Sequence, residues 1–391
     1  MSAFELLEPQ LDRARRAALV LGLAALALCA AGALRNPVQF FRSYLVAYLF
    51  WIGIALGSLA LVMLHHLVGG GWGFLIRRLV EAGSRTFLLL AVLFLPLLLG
   101  LSRLYLWAQP AAVASDPILQ QKQFYLNPQF FILRAILYFG AWIGLAYFLN
   151  KWSFEQDRTA NPSMGRRLVA LSGPGLLVYG LTVTFASVDW VLSLEPHWFS
   201  TIYGMLFMVV EVLSAMAFVI VACMLLANYE PLSAEISPGT LNDLGNMLLT
   251  FVMFWAYLSF SQYLIVWSGN LREEIPWYTA RTRGGWAWIA VFLMAIHFGI
   301  PFLLLLLRAV KRRIQALAAV ALALLLMTLA DLFWLVVPAF GPSGPHLHWM
   351  DVLAPIGIGG IWIAAFLSQL KGKPLLPLHD PRFEGALGHG E

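Results

Sequence analysis

Long apolar runs recur along the whole chain and are separated by short polar connections. Ten runs have about 20 residues or more, the length that a helix needs to cross a bilayer core of about 30 Å. Interior proline and glycine are compatible with spanning helices because neighbouring helices can satisfy the freed backbone groups. The pattern therefore predicts ten membrane-spanning helices, at 17–34, 43–68, 86–107, 129–150, 168–190, 200–227, 244–268, 286–308, 315–339 and 348–370.

The first run follows Arg13, Arg15 and Arg16 and so has the charge pattern of a signal peptide. It is longer than a typical signal-peptide core, and the residues after it, 34–37, form a poor small-residue cleavage site. We therefore expect this run to be a retained helix.

The spacing of the runs contains a weak repeat. Predicted helices 2 to 4 and 6 to 8 have matching positions at an offset of about 160 residues, and both third-to-fourth connections are long. This spacing predicts an all-α integral membrane protein with two four-helix bundles, helices 2–5 and 6–9, flanked by helices 1 and 10. The corresponding segments are 1–42 with the first helix, 43–190 and 191–339 with the bundles, and 340–391 with the last helix and a tail.

Composition supports the membrane assignment. Hydrophobic residues make up 61% of the 391 residues and charged residues only 12%, whereas soluble chains are about half apolar and about a quarter charged. The hydrophilic segments have about 20 residues at most, which is too short for a folded catalytic domain. The excess apolar surface must face lipid.

Positive charge is distributed unequally between the two sets of connections. The six segments on the predicted side of the N terminus carry 17 Lys and Arg, and the five opposite loops carry 6. By the positive-inside rule, both termini are expected in the cytoplasm. The formal net charge of +5 reflects this orientation and does not indicate a nucleic-acid partner.

The cysteine and histidine positions restrict the possible cofactors. Cys29 and Cys223 both lie in apolar runs, which excludes a disulfide framework and cysteine-ligated iron–sulfur or zinc sites. Only His297 lies deep in a predicted span, so the paired histidines that an intramembrane haem requires are missing. We expect no metal site, no catalytic site and no cofactor bound covalently or through cysteine, and the three glycines at 69–71 are typical of a turn.

Ionisable residues inside the spans are the best functional signal, since each is costly in lipid unless it is paired or hydrated. The candidates for a proton pathway, together with two polar residues of predicted helix 7, are Glu211, His297, Asp331, His65, His66, Tyr257 and Gln262. The alternative is interhelical hydrogen bonding that serves packing alone. Arg103 and Arg134, near helix ends, are interpreted as interfacial anchors, and Tyr179 and Thr182 are expected near the helix face of Asp189.

The connection between predicted helices 5 and 6 has an unusual composition. Two tryptophans, two carboxylates and a histidine occur within residues 187–201, without Lys or Arg. Tryptophan is expected at a membrane interface. A pocket of Asp189, Trp190 and His197 would also suit a quinol, whose ring stacks on indole and whose hydroxyls need proton acceptors.

Three segments of the chain resemble one known family, the membrane quinone-binding subunits of bacterial alternative complex III, relatives of the NrfD-type polysulfide-reductase anchor. The segments are Asp189-Trp190 with residues 193–204, residues 41–44 with 64–73, and residues 267–278. The last two are similar to the shorter subunit type, ActF. The resemblance covers nearly the whole chain.

The resemblance implies a subunit of a quinol:electron-acceptor oxidoreductase in the bacterial inner membrane, with cytochrome c or a similar acceptor. Haems and iron–sulfur clusters would lie in partners: a multihaem cytochrome c, an iron–sulfur protein and a paralogous NrfD-like subunit, with lipids around them. Proton translocation and binding of a quinone, such as menaquinone, are the expected contributions of this chain. A purely structural anchor and a secondary transporter are the alternatives, and matched helix breaks that would favour a transporter are not found.

Overall fold

Helices account for every regular element in the described part of the chain. The structure is a computed structural model that describes residues 3–159, 161–341 and 344–377; most of the predicted C-terminal tail therefore lies outside the described residues. The long helices are α1 (Ala3–Ala33), α2 (Pro37–Val68), α3 (Gly71–Ser84), α4 (Phe87–Leu99), α5 (Pro128–Thr159), α6 (Pro162–Trp190), α7 (Tyr203–Leu226), α8 (Pro238–Gly269), α9 (Trp286–Leu306), α10 (Ile314–Val336) and α11 (Trp349–Leu370). Short helical turns lie at Leu101–Leu104, Leu106–Ala108, Pro110–Ser115, Pro117–Lys122, Leu192–Leu194, Leu232–Glu235, Ile275–Thr282, Arg308–Lys311 and Val337–Phe340.

Nine helices in the described ranges are long and apolar enough to cross a membrane, and the pair α3–α4, bent by 43°, makes up to ten. The chain is therefore an all-α multi-pass membrane protein of about ten helices, as the sequence predicts. The predicted helix 86–107 is shorter in the structure: α4 ends at Leu99, and short helical turns follow Gly100.

Several helices begin with a side-chain cap followed by proline. Asn36 accepts a hydrogen bond from the Gln39 backbone N–H at 3.1 Å and precedes Pro37 at the start of α2. Asn161 and Ser237 cap α6 and α8 in the same way. Proline suits the first helical position because its missing N–H would have no partner there.

Helix α2 lies at the centre of the molecule. It packs against α1, α3, α4, α6, α7, α10 and α11, and its most apolar window is entirely buried. Apolar residues lie on all faces of α2, as expected for a helix that contacts protein on every side. Contacts run from α2 to α4, α5, α6 and back to α2, and from α7 to α8, α9, α10 and back to α7.

Glycine allows two close helix contacts. A Cβ on Gly57 of α2 would lie 2.0 Å from the Glu211 carbonyl oxygen of α7. A Cβ on Gly360 of α11 would lie 2.4 Å from the Ala18 carbonyl oxygen of α1. Backbones approach closely at both places, as small residues permit in membrane proteins. Helix α7 therefore packs closely against α2, and α1 packs closely against α11.

Helix α3 occupies residues that the sequence analysis assigned to a connection. Gly69 and Gly70, with φ of 74° and 98°, form the predicted turn after α2. The chain then continues as a buried helix.

Candidate functional site

The clearest intramembrane site surrounds Glu211, in the middle of α7. Its side chain is buried, and its Oε2 accepts a hydrogen bond from the Tyr179 hydroxyl of α6 at 2.8 Å. Tyr179 therefore faces Glu211 rather than Asp189, contrary to the expectation from spacing. As a donor, the Tyr179 hydroxyl stabilises the carboxylate form of Glu211 and fixes the position of one carboxyl oxygen.

A small cavity opens beside Glu211, where the two groups of four helices meet. The cavity is lined by α2, α6, α7 and α10. Its volume is about 20 Å³, which is enough for about one water molecule. Polar lining is contributed by Glu211, Ser187, Ser214 and Thr328, and aromatic lining by Phe50, Phe207 and Trp190.

Each of the three cavity hydroxyls donates its hydrogen to a backbone carbonyl of its own helix. Ser187 donates to Thr184, Ser214 to Glu211, and Thr328 to Leu324. The hydroxyl oxygens are thereby left as acceptors toward the cavity. A water here would find several acceptors together with the Glu211 carboxyl group, which is the environment that a buried water needs.

Asp331 and His297 form a second polar group, inside the helices α8 to α10. The Trp255 indole N–H donates to Asp331 Oδ2 at 3.0 Å, and the same indole stacks on the His297 ring with centroids 4.3 Å apart. Asp331 lies three residues after Thr328, hence on the same side of α10. The face of α10 thus connects the Glu211 cavity with this second group.

His297 lies within a π-helical segment, Leu293–Gly299, of α9. Its ring is fully buried, and neither ring nitrogen has a hydrogen-bond partner among the described residues. Wider turns of this kind occur often at functional sites. The sequence predicts the depth of His297, but the stacking on Trp255 depends on packing between two helices.

The structure does not bring the remaining proton-pathway candidates to this cavity. His65 and His66 are buried at the end of α2, with His65 eight residues beyond Gly57, about 12 Å along the helix. Tyr257 is 65% exposed on the outer face of α8. Gln262 instead accepts a short hydrogen bond from Ser200.

The three quinone candidates also have separate surroundings. Asp189 has no exposed surface and forms a two-pronged pair with Arg134, through Nε and Nη2 at 2.8 Å each. The Tyr138 hydroxyl donates to the same carboxylate at 2.7 Å. Arg134 is therefore a partner of Asp189, a role that the interpretation as an interfacial anchor did not include.

His197 lies away from that pair and contacts Asp116, with Nε2 2.6 Å from Oδ2. Its side chain is half exposed, whereas Trp190 is buried among the rings of Phe94, Phe139 and Trp142. Asp189 is enclosed by its partners and His197 is paired with Asp116, so each of the two candidates has its own contacts.

Residues 189–197 instead join the two halves of the molecule. Asp189 is held by Arg134 of α5, and Glu195 is held by Arg281, with Nη2 2.5 Å from Oε2. Arg281 also donates to the Leu335 carbonyl at 2.7 Å and lies over the Trp277 ring. We call residues 189–197 the clasp, since each half contributes one arginine to it, Arg134 and Arg281.

Sequence reasoning missed a second buried charged cluster, on α3 and α5. Arg77 and Arg78 of α3 both bond to Glu81, and Arg78 also pairs with Asp157 of α5. The spacing of Arg77 and Glu81, four residues apart, was a signal for a helix at this place. Among the described residues, groups of three or more His, Cys, Asp or Glu that could hold a metal ion are not found.

Helical spans with buried carboxyl, imidazole and hydroxyl groups define a multi-pass membrane protein with ionisable groups at membrane depth. No protein-family model and no curated protein matches this sequence. The function therefore has to be inferred from the residues and their geometry.

Proposed function

We propose that this chain is a membrane subunit of a quinol:electron-acceptor oxidoreductase of the alternative complex III type, and that it conducts protons through Glu211. The observation that carries the proposal is the Glu211 site: a buried carboxyl group in mid-helix, bonded to Tyr179, beside a cavity with hydroxyl acceptors. Packing alone would not require a carboxyl group there, since a buried ionisable group in lipid is costly.

The chemistry required of Glu211 is reversible protonation. One carboxyl oxygen is fixed by Tyr179, and the carboxyl group lies on the cavity that Ser187, Ser214 and Thr328 share. A water bridging these groups would carry a proton between Glu211 and the α10 face, where Asp331 lies one turn away. Protons would thus cross between the two halves of the molecule.

The redox centres belong to partner subunits in this proposal. The resemblance to alternative complex III supports a multihaem cytochrome c, an iron–sulfur protein and a paralogous NrfD-like subunit as partners, in a bacterial inner membrane. A quinone site formed by Asp189 and His197 is left out because the two residues have different partners.

The test is Glu211→Gln in the complex purified from its native membrane and reconstituted into vesicles. We expect copurification of haem and iron–sulfur proteins, and at least a tenfold lower rate of proton uptake coupled to quinol oxidation in the variant, because glutamine keeps the shape but cannot release a proton. Ser172→Ala is the matched control, since Ser172 is buried on α6 and donates to the Leu168 carbonyl of its own helix.

Unchanged coupling in Glu211→Gln would remove this residue from the scheme. Purification without redox partners would refute membership of such a complex. The clasp favours the second candidate function, a structural subunit that holds neighbours in place, since its ion pairs fix one end of the connecting segment to each half. A structural subunit would keep full coupling in the Glu211 variant.

A further inference from the structure

A group of cations surrounds the Phe154 ring where α3, α5 and α11 end. The distances from the centroid of this ring are 4.7 Å for Lys373 Nζ, 4.9 Å for Arg85 Cζ and 5.3 Å for Arg78 Cζ. This end of the molecule is the side of the N terminus, expected to be cytoplasmic. Three cations on one ring repel one another and need compensating negative charge.

The carboxylates in contact with this group are already engaged. Glu81 accepts from Arg77 at 3.0 Å, from Arg78 at 2.5 Å and from Ser153 at 2.5 Å. Asp157 pairs with Arg78. Arg85 and Lys373 are therefore the cations of the group that form no ion pair with a described carboxylate.

Arg85 retains unused donors. Its Nη2 donates to the Gln369 carbonyl at 2.8 Å, while Nε and Nη1 are buried and have no hydrogen-bond partner among the described residues. Burial and the charges of Arg85 and Arg78 lower the pKa of Lys373 to about 8. Both observations indicate a place for an anion, since unpaired buried donors are destabilising.

An exposed apolar row starts one turn beyond Arg85. Leu88, Val92, Leu95 and Leu99 repeat along α4 at helical spacing and all are exposed. A helix that begins beside two cations and continues as an apolar stripe matches a phospholipid, with its phosphate at the cations and its acyl chain along the stripe. A free phosphate would use the cations only.

We propose that Arg85 and Lys373 bind the phosphate of an anionic phospholipid, whose acyl chain lies along the exposed face of α4. Arginine suits the phosphate because its guanidinium donates two parallel hydrogen bonds. Lys373 adds a point charge from the segment after α11. This site is independent of the Glu211 pathway and would exist in a purely structural subunit as well.

The test is native mass spectrometry of the delipidated full chain in detergent, titrated with phosphatidylglycerol and, separately, with phosphatidylcholine. We expect one phosphatidylglycerol bound more tightly than phosphatidylcholine. Arg85→Gln and Lys373→Gln should each weaken phosphatidylglycerol binding about tenfold, the loss expected for one charge-assisted hydrogen bond. Arg166→Gln is the matched control, because Arg166 is exposed on the same side.

Equal weakening by Arg166→Gln, or none by Arg85→Gln and Lys373→Gln, would overturn the site. Displacement of the lipid by millimolar inorganic phosphate, without preference for phosphatidylglycerol, would identify a free-anion site and refute the lipid proposal. If Arg85→Gln does not fold, Lys373→Gln decides, since Lys373 lies outside the helices.

Discussion

Arg134 and Asp189 show how a single residue pair determines what the clasp can do. The sequence positions predicted ionisable groups near the membrane at 134 and 189. The two residues lie on different helices, and a single sequence does not show which helices are in contact. The same limit applies to Tyr179, whose partner Glu211 is on another helix. The depth of these residues in the membrane could be predicted from the sequence, but their hydrogen-bond partners could not.

Replacing Arg134 with glutamine should leave the Asp189 carboxylate buried without its cation. We expect the free energy of unfolding to fall by about 3–5 kcal/mol, as when one partner of a buried ion pair is removed. Thermal unfolding in one detergent, compared with wild type, measures this change. Arg103→Gln is the control, because Arg103 is exposed on the same side; equal unfolding temperatures for the two variants would contradict the structural role of the pair.

The lowered pKa of Lys373 predicts that the stability of the protein depends on pH. Its pKa is about 8 in the folded protein, below the ordinary value of 10.5, because of burial and the nearby Arg85 and Arg78 charges. Between these two values the unfolded chain binds more protons than the folded protein, so stability should rise with pH there. Lipid-free wild type should show this rise above pH 8 relative to Lys373→Met; parallel unfolding curves from pH 7 to 10 would contradict it.

At the scale of helices, the lengths of the apolar runs predicted the nine spanning helices of the described residues, while the predicted span 86–107 ends early, at Leu99. Helix α3 was missed, although Trp72, Leu75, Ile76, Leu79 and Val80 have helical spacing and are buried. The run is too short and too charged to cross lipid, so a search for spanning segments passes over it. The bend between α3 and α4 depends on tertiary packing and had no signal of its own.

The contact between α2 and α7 requires glycine at position 57. In Gly57→Ala the new Cβ would lie 2.0 Å from the Glu211 carbonyl oxygen, so the two helices must separate. We expect a loss of about 1–3 kcal/mol in stability, as for other overpacked sites. Gly140→Ala is the control: nothing lies within 4 Å of a Cβ there, and alanine should be neutral or stabilising in a helix. Both are compared by thermal unfolding, and equal values would argue against the close contact.

For the whole molecule, charge distribution predicts orientation. Single cysteines at Arg166 and Ser115, on opposite sides, should react differently with a membrane-impermeant maleimide applied to spheroplasts: Ser115→Cys should be labelled and Arg166→Cys should not. Background is expected to be low because Cys29 and Cys223 are fully buried. The reverse pattern would place the N-terminal side outside and would contradict the positive-inside prediction.

The packing of α1 against α11 affects the order in which the chain can fold during its synthesis. Helix α1 is synthesised well before α11, the helix with which it makes its glycine-lined contact. During synthesis the face of α1 that contacts α11 therefore stays without this partner while the intervening helices are inserted. The Lys371–Asp12 ion pair, 2.7 Å long, then links the two ends of the helical assembly. The contact between α1 and α11 can thus form only after the intervening helices have been made, so it is a late step in the folding of this chain.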